Sequence, residues 1–186
     1  MTQTTLETSE TRQDALRVLI VDDHDLFRTG LRNLLEEQGI QIVGEAAAGA
    51  EAIRSVRELA PDVVVMDLNM PGMTGVEATR QITSIAPLTR VLVLTISDQD
   101  SDVLDAILAG ACGYLLKDSS ITELMAGIRA ASVGESLISP TIASKVLQRV
   151  RSTSSVPAIA ETIRAELSDR EIEVLKLIAN GKDNAM

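Results

Sequence analysis

Five strand-like runs, each followed by a segment of helical periodicity, lie between residues 17 and 131, and this alternation limits the possible folds more than any other feature. The runs are RVLIV at Arg17–Val21, QIVGEA at Gln41–Ala46, VVVM at Val63–Met66, RVLVL at 90–94 and GYLL at Gly113–Leu116. Apolar runs without polar alternation suit strands buried on both faces. The second is the weakest, because Gly44 interrupts it. Between the runs, Phe27, Leu31, Leu34 and Leu35 fall at helical spacing before Gly39, and Ile53 and Val56 mark a helix over 50–59 closed by Pro61. A turn with Pro71, Gly72 and Gly75 precedes a helix over 76–85, and further helices are expected at 101–108 and 121–131. Strand–helix units repeated in this way build a parallel sheet with helices on both faces. The expected fold class is therefore α/β, a (βα)5 doubly wound parallel sheet with right-handed crossovers.

Several function classes drop out on composition. No apolar run approaches the roughly 20 residues that span a bilayer, and the polar N-terminus lacks a secretory pattern, so no membrane association is expected. Cys112 is the single cysteine, which precludes an intramolecular disulfide and a cysteine zinc cluster. A reducing, cytoplasmic setting is the simplest expectation. Phe27 and Tyr114 are the only aromatic residues, too few for a base-stacking surface. Residues 1–140 hold 10 basic and 21 acidic side chains, a balance of −11, whereas residues 141–186 hold 7 and 6, a balance of +1.

In a doubly wound sheet the working residues sit at the C-terminal ends of the strands. The first run ends in Asp22 and Asp23, the third in Asp67, the fourth in Thr95 and the fifth in Lys117. Three carboxylates on one sheet edge repel one another unless a cation relieves them. Mg²⁺ takes one or two carboxylates together with waters and phosphate oxygens. Lys117 and Thr95 would then contact phosphoryl oxygens, leaving Asp67 as a nucleophile that forms an aspartyl-phosphate. Taken singly, a strand-end Asp is usually a helix cap and a lone lysine a surface residue. Their joint placement at the ends of different strands makes the chemical reading the better one. His24 and Asp25 read as helix-start residues rather than metal ligands.

The blocks VLIVDDH, VVVMDLNMPGMTGVE, VLVLT and GYLLKD, in this order, resemble the receiver domain of two-component response regulators. The resemblance implies a flavodoxin-like strand order 2-1-3-4-5. It implies that Asp67 is the phosphoacceptor from a histidine kinase, and that Asp22, Asp23, Asp67 and the backbone carbonyl of Asn69 hold Mg²⁺. It further implies that Lys117 contacts the phosphoryl group, and that Thr95 and Tyr114 form a pair that rearranges on phosphorylation, with Tyr114 turning inward. Asp118 stands where many receivers carry proline after this lysine, a substitution that looks usual in the NarL/FixJ branch.

Residues 1–16 read as a disordered leader, 17–133 as the receiver, 134–164 as a helical linker with a helix over 140–150, and 165–186 as the start of a second module. The string LSDREIEVLKLIANG opens with a capping box at Ser168 and Glu171, and resembles the first helix of the LuxR-type helix-turn-helix domain. The chain stops at Met186, before the recognition helix of such a domain, so it is expected to be a fragment that binds DNA poorly, whereas the full-length protein would bind as a homodimer. The resulting expectation is a phosphorylation-switched transcription regulator, not an enzyme. A receiver acting only through protein contacts would have no need of that string. A haloacid-dehalogenase-like phosphatase would need a general acid two residues after Asp67, where Asn69 stands.

Overall fold

The computed structural model describes residues 15–97, 99–138 and 143–144. Residues 1–14 of the leader expected over 1–16, most of the 140–150 helix and the LSDREIEVLKLIANG string lie outside the described residues. The elements run β1 (Arg17–Val21), α1 (Asp25–Glu37), β2 (Gln41–Ala46), α2 (Gly49–Leu59), β3 (Val63–Met66), α3 (Gly75–Ile85), β4 (Arg90–Thr95), α4 (Asp100–Leu108), β5 (Gly113–Leu116), α5 (Ile121–Ser132) and β6 (Leu137–Ile138). All strand pairs are parallel, in the order β2-β1-β3-β4-β5-β6. The expected order is thus present, with a sixth strand added at one edge.

Burial explains why the VVVM run lies in the middle of the sheet. Val63, Val64, Val65 and Met66 are all at most 2% exposed, and each buried side chain of this size contributes roughly 1.5–3 kcal/mol of transfer free energy. Alternate residues point to opposite faces. Val63 and Val65 pack with Leu31 and Leu35 of α1 and with Leu124 and Ile128 of α5, while Val64 and Met66 pack with Ile53 and Val56 of α2 and Ile82 of α3. On α5, Leu124, Met125 and Ile128 face the sheet as the stripe requires, and Ile121 remains partly exposed. Gly44 stays within β2, beside a register irregularity, and a Cβ there would lie 2.6 Å from Leu59 Cδ1. The interruption in the sequence is therefore a close approach of α2 to the edge strand.

One boundary differs from expectation. The segment after residue 134, expected to be a helical linker, begins as a strand: β6 pairs with β5 through Gly113↔Leu137 and Tyr114↔Ile138. Gly113 makes room for it: a Cβ there would lie 2.8 Å from the Leu137 carbonyl oxygen. The receiver sheet therefore extends to Ile138 and covers the edge that β5 would otherwise present.

The two helices that follow site-bearing loops start at defined positions. Thr74 and Glu77 form a reciprocal capping box at α3, and Ser120 and Glu123 form another at α5. Each satisfies two backbone N–H groups that the first helical turn cannot pair. Among the described residues no helix is long and apolar enough to cross a membrane.

Candidate functional site

Asp22, Asp67 and Lys117, at the C-terminal edge of the sheet, are each fixed by a backbone hydrogen bond that carries the parallel ladder one step past its strand. The Asp22 N–H donates to the Ala46 carbonyl (3.0 Å), the Asp67 N–H to the Val21 carbonyl (2.9 Å), and the Lys117 N–H to the Thr95 carbonyl (2.8 Å). Strand pairing therefore sets the spacing of the site, so the register of the core and the geometry of the edge are one property.

The side chains of Asp22 and Asp67 are only 3% exposed, and the Lys117 ammonium lies between them, 2.6 Å from Asp22 Oδ2 and 3.0 Å from Asp67 Oδ2. Two buried carboxylates and one cation leave the cluster net negative. The remaining oxygens are also engaged: Asp22 Oδ1 accepts from the His24 N–H, and Asp67 Oδ1 accepts from the Leu68 N–H. Lys117 Nζ also stands 4.5 Å from the centre of the Phe27 ring, a cation–π contact. Burial alone would depress the Lys117 pKa, but hydrogen bonds to Asp22 and Asp67 and their charges outweigh it and hold the ammonium above the ordinary lysine value.

Asp23 is about one quarter exposed, and its Oδ1 lies 3.2 Å from His24 Nδ1. His24 is the N-cap of α1 and Asp25 falls in its first turn, so both are the helix-start residues anticipated; neither Asp22 nor Asp23 takes the cap position. Among the described residues, Asp22, Asp23 and His24 form a group whose ligand atoms lie within 4.8 Å of one another. Asp67 is tied to Asp22 through the Lys117 ammonium instead. The donor set fits a hard divalent cation: carboxylate oxygens from two strand ends, with the exposed Asn69 on the loop after β3.

Thr95 and Tyr114, both fully buried, are joined through one residue. The Ser97 N–H donates to Thr95 Oγ1 (3.3 Å), and the Tyr114 hydroxyl donates to the Ser97 carbonyl (2.8 Å). The Ser97 hydroxyl is in turn bonded to Asp102 at the start of α4. The Tyr114 ring fills a cluster that includes Val93, Val103 and Ala106.

Phe27 and Arg28 reach this edge without a local mark in the sequence. Phe27 reads only as one member of an apolar stripe, and the contacts of Arg28 span elements distant in the chain. Cys112 lies just before β5, at the opposite end of that strand from Lys117. Its thiol donates to the Val91 carbonyl at 3.2 Å, and burial pushes its pKa from an ordinary 9.0 up to about 11, so it is held as an unreactive thiol. Cys112 and Lys117 both carry raised pKa values, so between the unfolded and folded values the native chain binds the extra proton. Stability then falls as pH rises. Urea-unfolding midpoints should hold level up to about pH 9 and decline through about pH 11. A midpoint that stayed flat or rose over that interval would contradict these assignments.

Residues 18–129 match the family described as the response regulator receiver domain. The chain is 45% identical over 170 residues to the transcriptional regulatory protein LiaR of Bacillus subtilis, covering 91% of this chain and 79% of LiaR. It is 40% identical over 166 residues to the response regulator GacA of Pseudomonas aeruginosa, covering 89% of this chain and 76% of GacA. A solved two-component response regulator of the LuxR family from Aurantimonas shares 41% identity with a TM-score of 0.69, over 73% of this chain and 98% of that one. The fold and these matches define a receiver domain, and the chain belongs to the response regulator family. Within that family it falls among the LuxR-type regulators of the NarL branch.

Proposed function

We propose that this chain is a two-component response regulator whose receiver takes a phosphoryl group on Asp67 from a histidine kinase and thereby controls a LuxR-type DNA-binding module. The observation that carries this reading is the Lys117 ammonium bridging two buried carboxylates at adjacent strand ends. In the reaction an Asp67 carboxylate oxygen attacks phosphorus as the bond to the donor's leaving atom breaks, forming an acyl phosphate in line with the departing group. Asp67 is the acceptor of the group, not a catalyst that turns over an external substrate.

Asp22, Asp23, Asp67 and the Asn69 carbonyl are the proposed holders of Mg²⁺. When bound, that ion supplies positive charge against the phosphoryl oxygens. Lys117 would follow the charge from the carboxylate to the transferred group. Thr95, whose hydroxyl accepts from Ser97, can donate its own hydrogen to another phosphoryl oxygen. The Ser97 loop would move with it, carrying the Tyr114 hydroxyl contact and the start of α4. A second copy of the chain is the proposed partner of the phosphorylated form. The acidic balance of residues 1–140 repels the DNA backbone, so DNA contact falls to the second module.

Incubation with acetyl phosphate and Mg²⁺ should add the mass of one phosphoryl group to the intact protein, and chelation of the metal should abolish it. Labelling of equal extent in chelator would overturn the magnesium-dependent reading.

A further inference from the structure

The loop that carries Asp22 and Asp23 is held from behind by one side chain. Arg28, on the first turns of α1, is only 13% exposed and engages three acceptors in three directions. Nη1 donates to the Asp22 carbonyl at 2.6 Å, Nη2 to Asp25 Oδ1 at 2.7 Å, and Nε to Glu45 Oε2 at 3.0 Å. The Asp22 carbonyl belongs to the peptide unit that joins Asp22 to Asp23. Its rotation sets where both carboxylates point.

On the reading that this edge binds Mg²⁺ for phosphoryl transfer, we propose that Arg28 is a positioning residue. It locks the Asp22–Asp23 peptide plane to the edge strand β2 and so presets the metal-binding carboxylates. Glu45 is the anchor on β2. It is itself braced by Arg32, whose Nε lies 2.6 Å from Glu45 Oε1 as an ion pair without a well-directed hydrogen bond. Only a planar fork with several fixed donors reaches the loop, the helix and the strand at once; a lysine ammonium is a single point on a flexible stem.

Charge and geometry make opposite demands here, which renders the proposal testable. Arg28 is a cation close to a cation site. If its effect were mainly electrostatic, its removal would tighten Mg²⁺ binding. If it positions the loop, its replacement weakens binding even when the charge is kept. Partners behind a metal's direct ligands typically change affinity by about 10- to 100-fold.

The experiment measures Mg²⁺ affinity by calorimetry and by amide chemical shifts of residues 21–25, alongside thermal unfolding, for wild type, Arg28→Lys and Arg32→Gln. Arg28→Lys should weaken Mg²⁺ about 10-fold at unchanged net charge. Arg32→Gln removes a cation one turn further along α1 without touching the Asp22 carbonyl, and should leave Mg²⁺ affinity within about 2-fold of wild type while lowering the melting temperature. Arg28→Lys with wild-type affinity, or weakening by Arg32→Gln as large as by Arg28→Lys, would overturn the proposal. Should Arg28→Lys fail to fold, Glu45→Asp decides, since it keeps the charge and shortens the arm that anchors the fork to β2 while leaving Arg28 in place: weaker Mg²⁺ supports the clamp and unchanged affinity overturns it. A wild-type protein that binds no Mg²⁺ would instead overturn the reading of the site itself.

Discussion

A Lys117→Met variant should be about 3 kcal/mol less stable than wild type at neutral pH in the presence of chelator. The side chains of Asp22 and Asp67 are almost fully buried, and Lys117 contacts both. Methionine preserves much of the stem's volume and its contact with Phe27, but removes the charge that offsets two carboxylates. Breaking a buried ion pair from one side costs more than the pair contributes, because the remaining charge stays desolvated and without its counterion. Here two like charges remain. Two further measurements separate this cause from a general packing defect. Millimolar Mg²⁺ should stabilise the variant by at least as much as the wild type, since an ion bound only by the native chain adds to its stability. Adding Asp22→Asn to Lys117→Met should recover most of the loss, as one buried charge is then gone. A loss that neither treatment reduces would place the defect outside the charge cluster.

Gly75→Ala should also cost about 3 kcal/mol, with the effect centred on the site rather than on α3 alone. Gly75 is the first residue of α3, and its N–H donates to the Leu68 carbonyl. A Cβ there would lie 2.0 Å from the Asp67 carbonyl oxygen and 2.7 Å from Leu68 Cα. Both are backbone atoms of the loop that holds Asp67, so no side chain can swing away to relieve the clash. Overpacking of this kind ordinarily costs 1–3 kcal/mol, and a backbone obstruction belongs at the upper end. Either α3 shifts outward or the Asp67 loop does. The second outcome would separate Asp67 from Lys117, so the variant should lose phosphoryl labelling along with stability. Near-wild-type unfolding and labelling would mean that the approach of α3 to the Asp67 loop is not as tight as described.

Much of this arrangement is visible in the chain itself, because the features that make it also leave local marks. VVVM has no polar residue to place on a wet face, so it must be central. Asp22, Asp67 and Lys117 stand directly after their strands and Thr95 ends its own, so the parallel topology alone brings them to one edge. Contacts between distant segments leave no such mark. Leu137 and Ile138 pair with β5 where Gly113 leaves room for the Leu137 carbonyl, and a two-residue segment carries no period from which to read this. The seat of Lys117 over Phe27 depends on the turn of α1 relative to β5. The Arg28 fork gathers Asp22, Asp25 and Glu45, of which only Asp25 is a helical neighbour. The capping boxes at Thr74–Glu77 and Ser120–Glu123 mark where the site loops end.

Asp22 and Asp67 are nearly alike in this structure: equally buried, each with one oxygen on Lys117 and the other on a backbone N–H. The central claim is that the second of them carries the phosphoryl group. The direct measurement is to label the protein with acetyl phosphate and Mg²⁺, trap the acyl phosphate by borohydride reduction, and locate the reduced residue by peptide mass spectrometry in wild type and in Asp67→Asn. The account predicts reduction at Asp67 in the wild type and none anywhere in Asp67→Asn. Reduction at Asp22 or Asp23, or undiminished labelling of Asp67→Asn, would contradict it.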